Sequence, residues 1–406
     1  MPRVIVIGAG AAGAMAAIFA ARQGAETFLL ERTRDGGRKI LISGGGRCNV
    51  LPMSVDESRF VTDSSPNTLR KIVRSWPLAQ QRAFFEEDLA IPLVEEAGDL
   101  KLFPASHKAR DVRDGLLAHA KAGGVQLRMN THVIGVQPTA TGWRVERDGA
   151  APLDGDAVIV ATGGLSVPLT GSDGFGLRAL QTLGHTVNRT YAALTPITAL
   201  SSAFSALSGV SLTVTLTAKA EERTASHTGG FLFTHHGYSG PSALNVSHVV
   251  SRARTEHTSV ARLFARWTQL GDAEWEAALK PHGARTVTGA LRNEMPDRLA
   301  AVLLELAQVE THRPLSELRR DERLRLIETL VRGELPWSGD EGYKKAEVTG
   351  GGVALSEVDP RTMESRLHKG LFICGEVLDA FGPIGGYNFL WAWATGRAAG
   401  IGAARP

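Results

Sequence analysis

The stretch VIVIGAGAAG, residues 4–13, decides the fold of this chain. Its first four residues are β-prone and predict a buried strand, and the glycines that follow have the GxGxxG spacing of a dinucleotide-binding turn. Gly8 permits the tight turn, Gly10 lets the backbone approach a diphosphate, and Gly13 lets the next helix pack close to the strand. The pattern predicts that helix from about Ala11 to Gln23.

An acidic residue, Glu31, follows the second predicted strand, Thr27–Leu30. Its carboxylate can accept hydrogen bonds from ribose hydroxyls, while amide N–H groups near Ala11 and Ala12 at the helix N-terminus can bind the diphosphate. An acidic residue here argues against a 2′-phosphate, so NADP is disfavoured and FAD and NAD remain open. A glycine-rich turn without a ligand is the alternative interpretation.

The composition is that of a globular protein, with 406 residues of which 43% are hydrophobic and 21% are charged. This length predicts two or three domains, and the formal net charge of +3 is too small by itself to imply nucleic-acid binding. Cys48 and Cys374 lie far apart, and no CxxC pair indicates a zinc site or a redox dithiol, so we predict no metal. Residues 4–21 could pass for a signal or membrane segment, but their glycine spacing favours the strand–turn–helix, and we expect a soluble, cytoplasmic protein.

The middle of the chain predicts helices first, then short strands, and then a strand of an antiparallel sheet. Helical, charged sequence over roughly 66–122 precedes three short strands that we interpret as a small meander, namely Val125–Leu127, Val133–Gln137 and Trp143–Arg147. Alternating apolar and polar residues around 210–217 then indicate a half-exposed strand of an antiparallel sheet.

A meander beside a parallel sheet resembles the layout of large FAD-binding folds. These patterns therefore predict an α/β protein with a Rossmann-type FAD-binding domain, a β-meander, and an inserted segment that is first β-rich and then helical. The predicted domains are 1–190 and 343–406 for the two parts of the FAD-binding domain, and 191–342 for an inserted substrate-side domain, β-rich over 191–268 and mainly helical over 269–342.

Three further loops favour FAD over NAD as the cofactor. They are Thr162-Gly163, Gly375-Glu376 and Gly385-Gly386. Each is a weak signal alone, since paired glycines also mark plain turns, but three loops at strand and helix ends suit a long, extended cofactor. Glu376 could bind the ribityl chain, and amides of the helix that follows Gly386 could stabilise negative charge at the N1–C2=O edge of a flavin.

Longer blocks of sequence resemble one family of flavoproteins. These blocks are GRKILISGGGRCN at 37–49, FTHHGYSGP at 233–241, CGEVLD at 374–379 and GGYN at 385–388. They resemble the BaiN / aminoacetone-oxidase-like family of FAD-dependent flavoproteins, over essentially the whole chain. The resemblance implies a Rossmann-type FAD domain with inserted β-rich and helical segments. It also implies NAD(P)H-linked reduction of an activated double bond, or oxidation of a small aminoketone.

The resemblance also implies which residues meet the cofactor. In addition to the glycine turn and Glu31, the matching positions are Lys39, Ser43, Gly44, Gly45, Val133, Gly375, Glu376, Gly386, Tyr387 and Asn388. Arg38 and Lys39 could stabilise an anionic reduced flavin or hold a substrate carboxylate, or they could lie at the surface or on the phosphate side. The chain departs from the usual pattern over 380–384, in a loop that we expect on the substrate side.

For catalysis, His235 is a candidate proton donor, and Tyr387 could stack or hydrogen-bond near the flavin. A loop histidine bonded to backbone and a tyrosine packed under the final helix are the alternatives. We predict an FAD-dependent oxidoreductase that transfers hydride between flavin N5 and a small organic substrate. NAD(P)H would dock transiently, because no second GxGxxG follows a strand. A flavin-dependent tRNA-modifying enzyme and a flavoprotein whose redox state gates a partner remain alternatives, and reductase and amine-oxidase types stay open.

Overall fold

The computed structural model describes residues 1–96, 100–200, 203–256, 260–283 and 285–405, which form two compact units. Unit 1 combines Met1–Thr190 with Val348–Pro406, and unit 2 is Tyr191–Glu347. The assignment of the insertion as the substrate side stays a prediction.

The first part of the chain contains eleven strands and six helices among its described residues. The strands are β1 (Arg3–Ile7), β2 (Glu26–Leu30), β3 (Leu51–Pro52), β4 (Leu93–Glu95), β5 (Lys101–Pro104), β6 (Gln126–Arg128), β7 (Val133–Pro138), β8 (Trp143–Arg147), β9 (Ala150–Gly155), β10 (Ala157–Val160) and β11 (Val187–Ala193). The helices are α1 (Ala11–Arg22), α2 (Arg38–Ile42), α3 (Pro66–Arg74), α4 (Leu78–Ala83), α5 (Ala109–Ala122) and α6 (Phe175–Thr182).

The remaining elements belong to unit 2 and to the return of the chain to unit 1. Unit 2 continues with strands β12 (Ile197–Thr198), β13 (Ser211–Ala220), β14 (Arg223–Phe233), β15 (Gly237–Ser239), β16 (Arg262–Arg266), β17 (Gly333–Leu335) and β18 (Gly339–Asp340). Its helices are α7 (Pro241–Glu256), α8 (Asp272–Ala278), α9 (Val287–Leu291), α10 (Asp297–Leu306) and α11 (Arg320–Arg332). The return adds β19 (Val348–Val353), β20 (Leu371–Ile373) and α12 (Tyr387–Ala403).

The core of unit 1 is a five-stranded parallel sheet in the order β20-β10-β1-β2-β6, which confirms the predicted Rossmann-type α/β architecture. In this register Ile7 pairs with both Leu30 and Val160, and Val160 pairs with Ile373. The four strands therefore end at one common edge of the sheet. Ligands of such sheets bind outside this carboxyl edge, so the loops that leave it form the candidate site.

The predicted meander is only partly correct. Residues 125–127 do not belong to it, because Gln126–Arg128 pairs in parallel with β2 as the edge strand of the main sheet. The meander consists of β7, β8 and β9, and its third strand, Ala150–Gly155, was not predicted. The helical prediction over 66–122 was also too broad, since β4 and β5 within it pair with β3 in a three-stranded sheet.

Helices α1 and α12 pack together closely enough to bring their backbones into contact. A Cβ atom at Gly396 would lie 2.3 Å from the carbonyl oxygen of Ala12, and one at Gly400 would lie 2.2 Å from that of Ala16. Glycine is therefore needed at both positions, one helical turn apart. This contact joins the last helix of unit 1 to the helix that begins at the glycine turn.

Unit 2 contains a seven-stranded antiparallel sheet in the order β17-β16-β13-β14-β15-β12-β18. The predicted alternation is visible in β13, where Val214, Leu216 and Ala218 are fully buried while the residues between them are partly exposed. Helix α7 packs against β13 and β14 and supplies part of the same apolar core.

A histidine on α7 predicts how the stability of unit 2 depends on pH. The Nδ1 atom of His248 lies 3.0 Å from the carbonyl oxygen of Asn245. Burial, with smaller contributions from the positive charges of Arg252 and Arg223, lowers the pKa of His248 to about 4. An unfolded histidine titrates at about pH 6.5, so below that pH the unfolded chain binds more protons than the folded one.

We expect the free energy of unfolding of the wild-type protein to fall as pH drops from about 6.5 to about 4, by at most about 1.4 kcal/mol per pH unit from this group. Urea titrations of the wild type and of His248→Gln across this range measure the effect, and the variant should show the smaller slope. The exposed His312 provides the control, because His312→Gln should keep the wild-type slope. Equal slopes for His248→Gln and the wild type would contradict the assignment.

Candidate active site

The glycine turn after β1 leaves the first amides of α1 available to a ligand. Gly8 has a left-handed backbone, with φ of +102°, and its N–H donates to the carbonyl oxygen of Leu30. Gly10 is the N-cap of α1 and has no side chain that could cap the first turn, which also contains no acidic residue. Uncapped N–H groups and the positive end of the helix dipole at Ala11 and Ala12 favour an anion such as a diphosphate.

The space around the three glycines fits a dinucleotide. A Cβ atom at Gly13 would lie 1.8 Å from the carbonyl oxygen of Gly8, so this position must remain glycine for α1 to pack on β1. A Cβ atom at Gly10 would have no heavy atom within 4 Å. Gly10 is therefore free of internal packing, and the open space on its Cα is where a diphosphate can approach the backbone.

Glu31 holds the glycine turn to the end of β2. Its carboxylate is buried, and Oε2 accepts a hydrogen bond from the N–H of Ala9 at 2.8 Å. Oε1 accepts from the N–H of Thr33 at 2.8 Å and from the Thr33 hydroxyl at 2.7 Å. A carboxylate has about four lone-pair positions, so one acceptor position remains for a ribose hydroxyl, and that contact stays a prediction.

The predicted adenine contact, Val133, begins β7 and is buried. Two backbone hydrogen bonds connect the segment before it to the end of β2. The N–H of Thr131 donates to the carbonyl oxygen of Glu31 at 2.8 Å, and the N–H of Glu31 donates to the carbonyl oxygen of Arg128 at 2.9 Å. Val133 thus lies in the segment that follows the Glu31 contacts, and its contact with adenine stays a prediction.

The loop that contains Arg38, Ser43, Gly44 and Gly45 is shaped by consecutive left-handed glycines, with φ of +55° at Gly44 and +66° at Gly45. The Ser43 hydroxyl donates to the carbonyl oxygen of Ile40 at 2.8 Å. Arg38 pairs with Asp35 at 2.7 Å, and this hydrogen bond holds the pKa of the Asp35 carboxyl below its usual range. These contacts give Arg38 a role within its own loop.

Both cysteines are free thiols buried in the core. Burial raises the pKa of the Cys48 thiol to about 12, and it also raises the pKa of Cys374. A thiol in this state is a poor nucleophile, because the thiolate is the reactive form.

A closed ring of polar groups lies at the carboxyl edge of the sheet. Lys39 Nζ donates to Ser166 Oγ at 2.5 Å and to Glu376 Oε2 at 2.7 Å, and Ser166 Oγ donates to Glu376 Oε1 at 2.6 Å. The N–H of Thr349 donates to Glu376 Oε1 at 3.0 Å, and Thr349 Oγ1 accepts from the N–H groups of Leu165 and Ser166. We call Lys39, Ser166, Thr349 and Glu376 the Lys39 ring. Lys39 and Glu376 were predicted at the cofactor, whereas Ser166 and Thr349 were not.

Thr162 and Gly163 follow β10 and lie beside the glycine turn. A Cβ atom at Gly8 would lie 2.6 Å from the carbonyl oxygen of Ala161. Gly163 is left-handed, with φ of +72°. Gly375, at the end of β20, has φ of +81°, and a Cβ atom there would lie 2.8 Å from that of Ala12. The loops after β1, β10 and β20 thus approach one another at the first turn of α1, although their cofactor contacts stay predictions.

The start of α12 combines a tight turn with buried polar contacts. Gly386 has φ of +92°, and a Cβ atom there would lie 2.4 Å from the carbonyl carbon of Leu51. The Asn388 amide pairs with the backbone of Gly382, accepting from its N–H at 2.9 Å and donating to its carbonyl at 3.0 Å. Asn388 therefore closes the 382–388 loop, and its predicted contact with the cofactor is untested.

Tyr387 is buried among residues of unit 1. Its hydroxyl lies 3.3 Å from the carbonyl oxygen of Ser54, to which it donates, and its ring packs edge-on against Phe60 at 5.6 Å between centroids. These contacts favour the packing role over a role in proton transfer, and the predicted role at the flavin stays a prediction.

The other predicted proton donor, His235, lies in the turn between β14 and β15 of unit 2. Its side chain is exposed, and the turn is closed by a hydrogen bond from the N–H of Thr234 to the carbonyl of Gly237 at 2.8 Å. The catalytic role of His235 stays a prediction.

Asp379, in the predicted block 374–379, is a buried carboxylate that sequence patterns did not assign. Its Oδ2 atom accepts from Asn188 Nδ2 at 2.8 Å and from the N–H of Asp63 at 3.0 Å. Burial raises the pKa of this carboxyl. The contacts fix the loop after β20 from two sides, so Asp379 positions the segment that carries Glu376.

The glycine turn and the loops at the carboxyl edge have the geometry of a Rossmann-type dinucleotide site, and comparisons with known proteins identify the class as FAD-dependent oxidoreductases. The family described as HI0933-like protein Rossmann domain matches residues 2–402, and the chain belongs to this family. The resemblance inferred from the sequence blocks is thereby confirmed.

Two of the relatives illustrate matches that cover nearly the whole chain. The ribosomal RNA dihydrouridine synthase of Escherichia coli strain K12 is 32% identical over 96% of this chain and 95% of its own length. The 3-dehydro-bile acid delta(4,6)-reductase of Clostridium scindens is 30% identical over 100% of this chain and 99% of its own length. Among solved structures, the 3-ketosteroid delta1-dehydrogenase of Sterolibacterium denitrificans has a TM-score of 0.52 at 13% identity, with each chain fully covered, and supports the fold alone.

Among the residues that the structure describes, no group of three or more His, Cys, Asp or Glu side chains is placed to hold a metal ion. Within the same ranges, no helix combines the length and the apolar character that a transmembrane span requires.

Proposed function

We propose that this enzyme reduces a carbon–carbon double bond conjugated to a carbonyl group, with NAD(P)H docking transiently as the electron donor. The observation that carries the proposal is that two relatives of full length are both named for saturating such a bond, one in a bile acid and one in a uridine. The open, uncapped start of α1 and the Lys39 ring support a flavin site for this chemistry.

Residues of unit 1 would bind and orient the cofactor. Amides at the start of α1 would bind the diphosphate, Gly10 would admit it to the backbone, and Glu31 would accept from the adenosine ribose. Bound FAD would supply hydride transfer at its N5 atom. Lys39 would provide a positive charge at the carboxyl edge, where the two strands β10 and β20 end.

Reduction of a conjugated double bond also requires a proton at the carbon next to the carbonyl. Of the two predicted candidates, Tyr387 is buried and donates its hydroxyl hydrogen to the backbone carbonyl of Ser54, whereas His235 is exposed. We therefore propose His235 as the first residue to test. Histidine is the side chain most often used as a general acid.

A second candidate substrate is a uracil base in RNA, which the name of the E. coli relative favours. The C5=C6 bond of uracil is conjugated to the C4 carbonyl, so the chemistry is the same and only the size of the substrate differs. The same reaction would therefore act on either a small molecule or RNA, and a single assay can distinguish these two substrates.

The test is an anaerobic reduction of the FAD-loaded protein by NADH or NADPH, followed by reoxidation with candidate substrates. We expect the absorbance of oxidised flavin to disappear with a nicotinamide and to return with a cyclic enone or with unmodified ribosomal RNA transcribed in vitro. Mass spectrometry of the nucleosides then decides between the two substrates. Reduction by a small amine, with release of peroxide in air and no reoxidation by either acceptor, would contradict the proposal in favour of an amine oxidase.

A further inference from the structure

In the Lys39 ring, one ammonium group and one carboxylate pair with each other, and both bind the same serine hydroxyl. The carboxylate of Glu376 is bound by Lys39, Ser166 and the N–H of Thr349, and its side chain is only 18% exposed. Its shortest charged contact, at 2.7 Å, is with Lys39 Nζ, so the carboxylate is oriented toward the ammonium group and can hold it in place.

Lys39 retains one donor that the ring does not use. An ammonium group has three N–H bonds, and those of Lys39 toward Ser166 and Glu376 account for two of them. Ser166 is itself fixed, because its N–H donates to Thr349 Oγ1 at 3.1 Å. The ring therefore sets the position of the ammonium group and leaves it one hydrogen bond for a ligand.

The sheet order predicts which half of the cofactor meets this group. The diphosphate site lies after β1, and Glu31 ends β2 on one side of it. On the other side lie β10 and β20, whose loops carry Ser166 and Glu376. A dinucleotide that spans the crevice with its adenosine over β2 must extend its flavin half toward β10 and β20.

We propose that Lys39 is the positive charge that stabilises reduced FAD in this enzyme, and that Glu376 and Ser166 are positioning residues that hold Lys39 and moderate its charge. This inference rests on the FAD site of the proposed function and not on its substrate. Reduced flavin carries negative charge at its N1–C2=O edge near neutral pH, so a nearby ammonium group favours the reduced form and a carboxylate opposes it.

The two members of the pair should then change the redox potential of bound FAD in opposite directions. Lys39→Met leaves the Glu376 carboxylate alone in the crevice, and the ratio of reduced to oxidised FAD at a fixed potential should fall at least about tenfold, or about 30 mV for two electrons. Glu376→Gln leaves the ammonium group uncompensated, and the same ratio should rise by about tenfold. Ser166→Ala should give a smaller decrease.

The affinity for FAD gives an independent measurement. If Glu376 positions Lys39 and does not bind the ribityl chain, Glu376→Gln should change the Kd for FAD by less than about threefold, which is under 1 kcal/mol. A loss of more than about tenfold would identify Glu376 as a direct ligand and overturn its positioning role.

A matched control is the exposed pair Arg144 and Asp154, which joins β8 to β9 in unit 1 at 2.7 Å. Arg144→Met and Asp154→Asn make the same changes of charge and should leave the potential of FAD unchanged. The double variant Lys39→Met/Glu376→Gln should return toward the wild-type potential. Shifts of equal sign for the two single variants, or no shift for Glu376→Gln, would overturn the inference.

The redox potential of bound FAD is measured against a reference dye, without any substrate. A failed search for a substrate would therefore count against the proposed reaction while leaving this measurement intact. If Lys39→Met does not retain FAD, Glu376→Gln alone decides, because the inference requires its potential to rise.

Discussion

Replacement of Gly10 by alanine is expected to remove most FAD binding and to leave the fold unchanged. The backbone of Gly10 has φ of −78° and ψ of −169°, an extended conformation that any residue can adopt, and the added methyl group would meet no protein atom within 4 Å. That methyl group would occupy the space through which the diphosphate reaches the amides of α1. We expect the Kd for FAD to rise by about 100-fold or more, which corresponds to about 2.7 kcal/mol.

The measurement is a titration of the apoprotein with FAD, followed by flavin fluorescence, beside thermal unfolding of the apoprotein. The midpoint of unfolding should stay within a few degrees of the wild type, because no contact of the fold is changed. Wild-type affinity in Gly10→Ala would mean that the diphosphate does not approach the backbone at this residue.

Gly13 provides the matched comparison in the same turn. Its added Cβ would lie 1.8 Å from the carbonyl oxygen of Gly8. This clash can be relieved only if the backbone moves and α1 separates from β1. Gly13→Ala should therefore destabilise the apoprotein by roughly 3 kcal/mol or more, in addition to its loss of FAD. The two variants separate a residue needed for the ligand from one needed for the fold.

The second large effect is expected where α1 crosses α12. Gly396→Ala and Gly400→Ala each place a methyl group 2.2 to 2.3 Å from a backbone carbonyl of α1, so the helices must separate. We expect each variant to lower the free energy of unfolding of unit 1 by roughly 2–4 kcal/mol. Urea unfolding followed by circular dichroism measures the loss.

Gly123→Ala is the control for this effect. Gly123 has φ of −76°, and an added Cβ would be no closer than 3.4 Å to any other atom, so the stability should change by less than about 1 kcal/mol. Equal effects at Gly123 and Gly400 would show that the change from glycine to alanine acts through the unfolded chain and not through the crossing of the helices.

The sequence was sufficient to predict the parts of the fold that are local. The β1–α1–β2 unit was recognisable because a strand, three spaced glycines and an acidic residue follow one another within one short stretch. The strand Gln126–Arg128 was placed in the wrong sheet, because three apolar and polar residues do not reveal which distant strand they pair with. The short strands β4 and β5 were missed for the same reason.

The sequence predicted those site residues that lie in recognisable motifs or directly after strands. Lys39 and Glu376 were found through the blocks that contain them, whereas Ser166 and Thr349 belong to no motif and join the ring through the tertiary fold. A usable signal existed for Ser166, since it closely follows Thr162-Gly163 at the end of a buried strand. The spacing of Gly396 and Gly400 also predicts a close helix contact and was overlooked.

The crossing of α1 and α12, together with the pairing of β10 with β20, has a consequence for biosynthesis. Until the ribosome has made residues 371–403, the nascent chain has an open edge at β10 and an uncovered apolar face on α1. All of residues 191–347 are translated during that interval. We therefore expect the parallel sheet and the packing of α1 to be completed only after these residues have been made, and the unpaired edge of β10 to be prone to aggregation until then.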